Sequence, residues 1–264
     1  MINSIKCYRD SMSNRKYAIE PKKRFSSRVE NYIKYRPSYP LEIIEFLKGK
    51  KILAENTVIA DVGSGTGILA KIFLDNGNQV YGVEPNKDMR EAAEKTLQGY
   101  TNFTSLEGSA ESTGLEENCA DLITAGQAFH WFDVEESKRE FKRIIKPNGN
   151  VALIWNNRGK AGAGFNSSYE NFILKYGIDY KEVRKNERNV DLFFKYQKES
   201  FYNFQDLDFT SFRGRVLSSS YIPLVDNPIF PEMILELEGL FNQHQRDGII
   251  RIEYDTEIYL GKLE

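Results

Sequence analysis

The chain has 264 residues, a formal net charge of −2 and a sequence pI near 5.9. With 41% hydrophobic and 28% charged residues it is globular rather than disordered, and it lacks the basic excess of a nucleic-acid binder. Its two cysteines, Cys7 and Cys119, and its two histidines are too few for a disulfide framework or a His/Cys metal centre, so no metal is expected.

No stretch approaches the ~20 apolar residues of a membrane span, and the first residues lack a signal-peptide core. A cytoplasmic protein without a membrane partner is expected. Basic residues crowd at Arg15, Lys16, Lys22, Lys23 and Arg24. Residues 1–23 are read as a flexible, solvated arm. Val29 to Tyr35 reads as a short helix stopped by Pro37 and Pro40. Leu41 to Lys48 has helical apolar spacing. Strands then alternate with helices. Strands are expected at Thr57–Asp61, Gln79–Val83, Asn102–Leu106, Ala120–Thr124 and Val151–Trp155. Between them lie a helix from Gly67 to Asn76, a helix capped by Asn86 through Leu97, and a helix from Val134 to Ile145. Pro147-Asn148-Gly149 reads as a turn.

This alternation predicts βαβ units and a doubly wound, mostly parallel sheet, with ligands outside the carboxyl ends of the strands. Residues 24–155 form the expected core. Residues 156–207 read as an insertion without a clear strand, expected to be a helical lid, whose aromatics Phe165, Tyr169, Phe172 and Tyr176 suit core packing. Residues 208–264 are expected to complete the same sheet. There Phe209–Leu217 looks like a strand and Pro231–Asn242 like a helix. Arg251–Leu260 alternates, as an edge strand antiparallel to its neighbours would.

The strongest chemical signal is Asp61-Val62-Gly63-Ser64-Gly65-Thr66-Gly67, which follows a strand and opens a helix. Glycines let a ligand approach the backbone, and the helix start offers free N–H groups. The spacing is GxGxG rather than the GxGxxG of a dinucleotide site. Asp61 would repel a pyrophosphate but would suit a cationic ammonium or sulfonium. Glu84 ends the second strand about twenty residues on, where a carboxylate can accept both hydroxyls of a ribose. The small-residue turn Gly108-Ser109-Ala110-Glu111 can lie against an adenine and bond its amino group.

On these motifs the chain resembles a class I S-adenosylmethionine-dependent methyltransferase of the type 11 small-molecule group. The match runs over Val58–Gly67, Glu84 and Gly108–Glu111. The stretch Gln127-Ala128-Phe129-His130-Trp131-Phe132-Asp133, and Tyr35-Arg36-Pro37-Ser38-Tyr39-Pro40, resemble aconitate methyltransferase-like members. The resemblance implies a seven-stranded Rossmann-like sheet, S-adenosyl-L-methionine as cofactor and a small-molecule acceptor. It implies a cofactor pocket made by Tyr32, Arg36, Asp61, Gly63, Ser64, Gly65, Thr66, Gly67, Glu84, Pro85, Met89, Ser109, Ala110, Glu111 and Gln127. Within it, Arg36 could pair with the methionine carboxylate. His130 is the candidate catalytic residue, as a general base or a hydrogen-bond donor. His130, Trp131, Arg158 and Arg213 are the candidate substrate contacts, the two arginines for a carboxylate.

The expected reaction is in-line methyl transfer, driven mainly by alignment and water exclusion. Three rivals stay open: a nicotinamide oxidoreductase, a non-catalytic cofactor-binding module, and a methyltransferase acting on tRNA or protein. The glycine spacing disfavours the first, and the acidic balance disfavours tRNA.

Overall fold

The structure is a computed structural model that describes residues 26–158, 164–178, 180 and 190–263. The basic arm and the middle of the 156–207 segment lie outside the described residues. Seven strands form one sheet: β1 (Val58–Val62), β2 (Gln79–Val83), β3 (Phe103–Leu106), β4 (Ala120–Gly126), β5 (Ile145–Arg158), β6 (Lys195–Leu207) and β7 (Ile250–Lys262). Their spatial order is β3-β2-β1-β4-β5-β7-β6. The pairs β3–β2, β2–β1, β1–β4 and β4–β5 are parallel, and β7 is antiparallel to both β5 and β6. This is the mostly parallel, doubly wound arrangement expected, with antiparallel pairing at one side.

Nine helices are used below: α1 (Val29–Tyr35), α2 (Glu42–Gly49), α3 (Ile68–Asp75), α4 (Lys87–Thr96), α5 (Val134–Ile144), α6 (Phe165–Tyr176), α7 (Val190–Phe193), α8 (Phe209–Leu217) and α9 (Phe230–His244). Asn86 caps α4 as expected, its side chain accepting from the Met89 N–H at 3.0 Å. One side of the sheet buries Ile59, Val80, Leu122 and Ile154 with Ile43 and Leu47 of α2 and Phe73 of α3. The other buries Ala60, Val62, Ile123 and Leu153 with Phe141 and Ile144 of α5. The alternation along β1 is the period-two signature of a strand covered on both faces. Each such buried side chain contributes roughly 1.5–3 kcal/mol.

Four expectations need correction. Arg251–Leu260 lies in a strand antiparallel to its neighbours, but it is the second strand in, because β6 pairs outside it. That edge strand comes from 195–207, inside the segment expected to lack one. Its pattern was weak because most of its side chains are exposed or half-buried. Phe209–Leu217 is a helix, not a strand. Asp208 caps it, its side chain accepting from the Ser211 N–H at 2.7 Å. The Pro147–Gly149 turn is a bulge within β5, where the register passes from Ala120↔Ile145 to Leu122↔Asn150. Helices α6, α8 and α9 pack with Ile252 and Tyr254 of β7 into a third cluster, which buries Tyr169, Phe172 and Tyr176.

Candidate active site

The chain reverses direction of travel across the sheet between β1 and β4, and that switch point opens a crevice at their carboxyl ends. Two adjoining cavities occupy it and share Tyr32, Gly63, Gly126 and Gln127. The larger, of about 400 Å³, is lined by Gly65, Glu84, Pro85, Asn86, Met89, Ser109, Ala110, Glu111, Trp131 and Phe132 among others. The smaller is lined by Arg36, Tyr39, Asp61, Ser64, Asn156 and Arg215 among others.

The glycine loop forms the wall between β1 and α3. Gly63 has φ +69, and a Cβ there would lie 2.6 Å from the Ala128 Cβ. Only glycine fits both the left-handed backbone and that close approach. Glu84 braces the loop: Oε2 accepts from the Gly65 N–H at 2.9 Å and Oε1 from the Asn86 N–H at 2.8 Å. Burial pushes the Glu84 carboxyl up, and the two N–H groups and Arg90 oppose the shift. Each oxygen keeps lone-pair capacity toward the larger cavity.

Asp61 is fully buried in β1. Its Oδ1 accepts from the Thr124 hydroxyl at 2.9 Å, and its Oδ2 has no hydrogen-bond partner. Burial pushes its carboxyl up to about 7, against the Thr124 hydrogen bond. Across the same small cavity stands Arg36, just past the end of α1. Its Nη2 donates to the Ser218 carbonyl at 3.0 Å, its guanidinium lies 4.7 Å from the Tyr32 ring centre, and its Nε has no partner. Gln127 directly follows β4 with φ +56, a left-handed conformation uncommon outside glycine. Its side chain donates to the Asn156 carbonyl at 3.1 Å.

The expected cofactor residues therefore converge, except that Thr66 and Gly67 line neither cavity. Thr66 is buried within the loop, and Gly67 precedes α3 as its N-cap with φ +81. Trp131 lines the larger cavity, whereas His130, beside it in a 3-10 turn, lines neither. Burial, helped by the charge of Arg36, lowers the His130 imidazole to about 3 and so keeps it neutral. Arg158, expected to contact substrate, also lines neither cavity: it pairs with Glu170 at 2.9 Å and donates to the Tyr180 hydroxyl at 2.7 Å.

Arg213 is exposed and lines neither cavity. The arginine in the site is Arg215, only 3% exposed. The reason is the helix: two residues apart in a strand share a face, but in a helix they lie about 200° apart. Tyr39 and Asn156 also line the small cavity without having been singled out. The sequence signal that could have found Arg215 is the Asp208 cap with apolar residues at 209, 212 and 216.

Residues 60–153 match the sequence model of a family described as "Methyltransferase domain". An uncharacterized methyltransferase of Schizosaccharomyces pombe is 35% identical over 135 residues, covering 51% of this chain and 53% of that protein. One from Mycobacterium bovis is 34% identical over 134 residues, covering 51% and 52%. This chain thus spans about half the length of the curated relatives it matches. A solved structure assigned as a type II methyltransferase, from Anaeromyxobacter dehalogenans, superposes with a TM-score of 0.69 at 18% identity, covering 87% of this chain and 98% of that one. The fold is the Rossmann-like methyltransferase fold. Residues 60–153 are thus similar to a methyltransferase domain, and the cofactor this similarity implies is S-adenosylmethionine.

Proposed function

We propose that the protein transfers the methyl group of S-adenosylmethionine to a small-molecule acceptor. One observation carries the reading. Two buried, unpartnered atoms of opposite charge, Asp61 Oδ2 and Arg36 Nε, belong to side chains that line one small cavity beside the glycine loop. That pair fits the ammonium and carboxylate of a free amino acid, and a dinucleotide offers neither. The adjoining cavity fits a nucleoside, with Glu84 for the ribose hydroxyls and Met89, Ser109, Ala110 and Glu111 around the base.

When bound, the cofactor supplies an activated methyl on a sulfonium, open to in-line displacement by an acceptor oxygen, nitrogen or carbon. The chain's own residues bind and align. Asp61 and Arg36 fix the amino-acid end, Glu84 the ribose, and Gln127 stands where the two cavities meet. Such alignment is worth up to roughly 7–11 kcal/mol of barrier. Trp131 lines the larger cavity, and His130, neutral at physiological pH, lies beside it outside both cavities. A carboxylate acceptor needs no base.

Residues 24–155 act as the cofactor-binding core, while of 156–207 the first three residues end β5 and 195–207 form the edge strand β6, and 208–264 complete the sheet and contribute Arg215. The segments Gln127–Asp133 and Tyr35–Pro40 support placement among the aconitate methyltransferase-like members. Absence of a nucleic-acid footprint in the overall charge supports a small acceptor. Among the described residues no helix is long and apolar enough to cross a membrane, which accords with a cytoplasmic site of action.

Calorimetry with S-adenosylmethionine, S-adenosylhomocysteine and NAD tests the cofactor. Binding of the first two but not NAD is expected, and loss of that binding in Asp61→Asn. Binding of NAD instead overturns the reading. A cofactor that binds without S-adenosylhomocysteine ever forming, over a broad acceptor panel, favours a non-catalytic module.

A further inference from the structure

The backbone that carries Arg36 is held from outside its own helix. Arg36 leaves α1 in an extended conformation, φ −72 and ψ 142, and its N–H closes on the Tyr32 carbonyl at 3.2 Å. Pro37 follows and has no N–H to give. The carbonyls on either side of this pair accept instead from side-chain amides. The Tyr35 carbonyl accepts from Gln205 Nε2 at 3.1 Å. The Ser38 carbonyl accepts from Asn203 Nδ2 at 2.8 Å and from Asn156 Nδ2 at 3.2 Å. Gln205 and Asn203 stand on β6, and Asn156 stands on β5.

Asn156 is the centre of this arrangement. Its Oδ1 accepts from the hydroxyl of Thr256, the residue directly opposite on β7, and from Asn203 Nδ2 at 3.2 Å. An amide has one accepting end and one donating end, so two donors on Oδ1 turn Nδ2 toward Ser38. The Asn156 main-chain carbonyl meanwhile accepts from the Gln127 side chain. Asn156 lines the small cavity together with Arg36, Pro37 and Tyr39. Thr256 is fully buried, and neither it nor Asn203 lines either cavity. The Thr256 hydroxyl therefore acts on the cavity through Asn156. Removing that hydroxyl leaves a buried acceptor short of a partner and frees the amide to turn.

We infer that Asn156 is a positioning residue for the methyl donor, and that Thr256 and Asn203 act by orienting it. The three side chains hold the segment from Arg36 to Tyr39 against the small cavity. The grip on the donor's amino-acid end thus depends on β6 and β7, which carry none of the cofactor motifs. The inference rests on the methyltransferase reading, with the small cavity taking the amino-acid end.

The test compares two ligands by calorimetry on the full chain. S-adenosylhomocysteine has the amino-acid end, and methylthioadenosine has the same thioether nucleoside without it. Wild-type protein should bind the first more tightly. In Thr256→Val, S-adenosylhomocysteine should bind about three- to tenfold more weakly, the size of one neutral hydrogen bond. Methylthioadenosine should change by less than about twofold. Thr256→Ser, which restores the hydroxyl, should return the wild-type ratio of the two affinities. Asn156→Ala should cost S-adenosylhomocysteine at least about tenfold, with methylthioadenosine again spared.

Unchanged S-adenosylhomocysteine affinity in Thr256→Val, or equal weakening of both ligands, overturns the positioning role. So does equal binding of the two ligands by wild type. Failure of S-adenosylhomocysteine to bind wild-type protein overturns the methyltransferase reading and this inference with it. Should Asn156→Ala or Thr256→Val fail to fold, Asn203→Ala on the edge strand makes the same comparison, with loss confined to S-adenosylhomocysteine expected and an unchanged ratio overturning the inference.

Discussion

At the scale of single residues, the site combines groups that titrate in opposite senses. His130 is held down to about 3 from an ordinary 6.5, so as pH falls below 6.5 the unfolded chain takes up a proton that the folded chain refuses. Its contribution to stability is lost on acidification. Asp61 is pushed up to about 7 from 3.8. Between those values the folded chain keeps a proton that the unfolded chain has released. Its contribution is complete below 3.8 and is lost as pH rises through 7. The two slopes oppose each other in the same window. Thermal melts of ligand-free protein should therefore show wild type gaining on Asp61→Asn as pH is lowered from 7 toward 4. Wild type should lose ground to His130→Gln over the same range. Parallel profiles for wild type and Asp61→Asn would show that the buried carboxyl has an ordinary acidity.

Glu84 has two functions at this scale, a brace for the Gly65 and Asn86 N–H groups and a ribose acceptor. Glu84→Ala should weaken S-adenosylmethionine binding by about 1.5–3 kcal/mol, the worth of a charged hydrogen bond, measured by calorimetry on a variant shown to be folded. Unchanged affinity would remove the ribose assignment. His130→Ala should lower turnover with the true acceptor while sparing cofactor affinity; unchanged turnover would leave His130 as scaffolding.

At the scale of elements, the closure of the site depends on α1 lying directly on α8. Gly214 makes that contact possible, since a Cβ there would fall 2.1 Å from the Tyr35 ring. Arg28 ties the same pair, donating to the Leu217 carbonyl at 2.7 Å and the Ile222 carbonyl at 2.5 Å. Gly214→Ala should cost about 1–3 kcal/mol of stability through overpacking. It should also weaken cofactor binding, because α1 delivers Tyr32 and Arg36. Wild-type denaturation and affinity in this variant would mean that the helices do not need so close an approach. The parallel half of the molecule was legible in sequence because its strands are covered on both faces and its helices carry caps. Asn86 and the loop from Gly63 to Gly67 announced their own geometry. In the second half only α9 and the antiparallel strand β7 were legible. Strand β6 carries polar residues on an exposed edge, and α8 was read with a strand's period, which put the arginine two positions off. Sequence spacing finds residues that share one loop. It does not find Asn156 and Arg215, which meet Arg36 only after three distant elements pack.

At the scale of the whole molecule, the nucleoside part of the donor site is mostly local and its amino-acid part is not. The nucleoside part lies mainly between β1 and the turn after β4. The amino-acid part joins Asp61 of that half to α1, β5 and α8. Ligand binding should therefore stabilise the entire assembly, since Arg36 and Asp61 grip one molecule from separate halves. At 100 times its dissociation constant, S-adenosylhomocysteine should add about 2.7 kcal/mol. Urea unfolding with and without it checks the figure. Two separate transitions in ligand-free protein, with only the β1–β4 half responding, would show that the halves fold independently.

The position of β7 bears on how the chain assembles in time. It is the last strand in sequence, yet it sits between β5 and β6, pairing Val151 with Gly261 and Lys195 with Lys262. During synthesis β5 and β6 have no partner between them until the C-terminal segment emerges, and closing a gap of that length is slow. The nucleoside cradle should then form early, and the small cavity with Asn156 and Arg215 should be completed later, when β7 pairs. In refolding followed by stopped flow, adenosine affinity is expected to precede S-adenosylhomocysteine affinity.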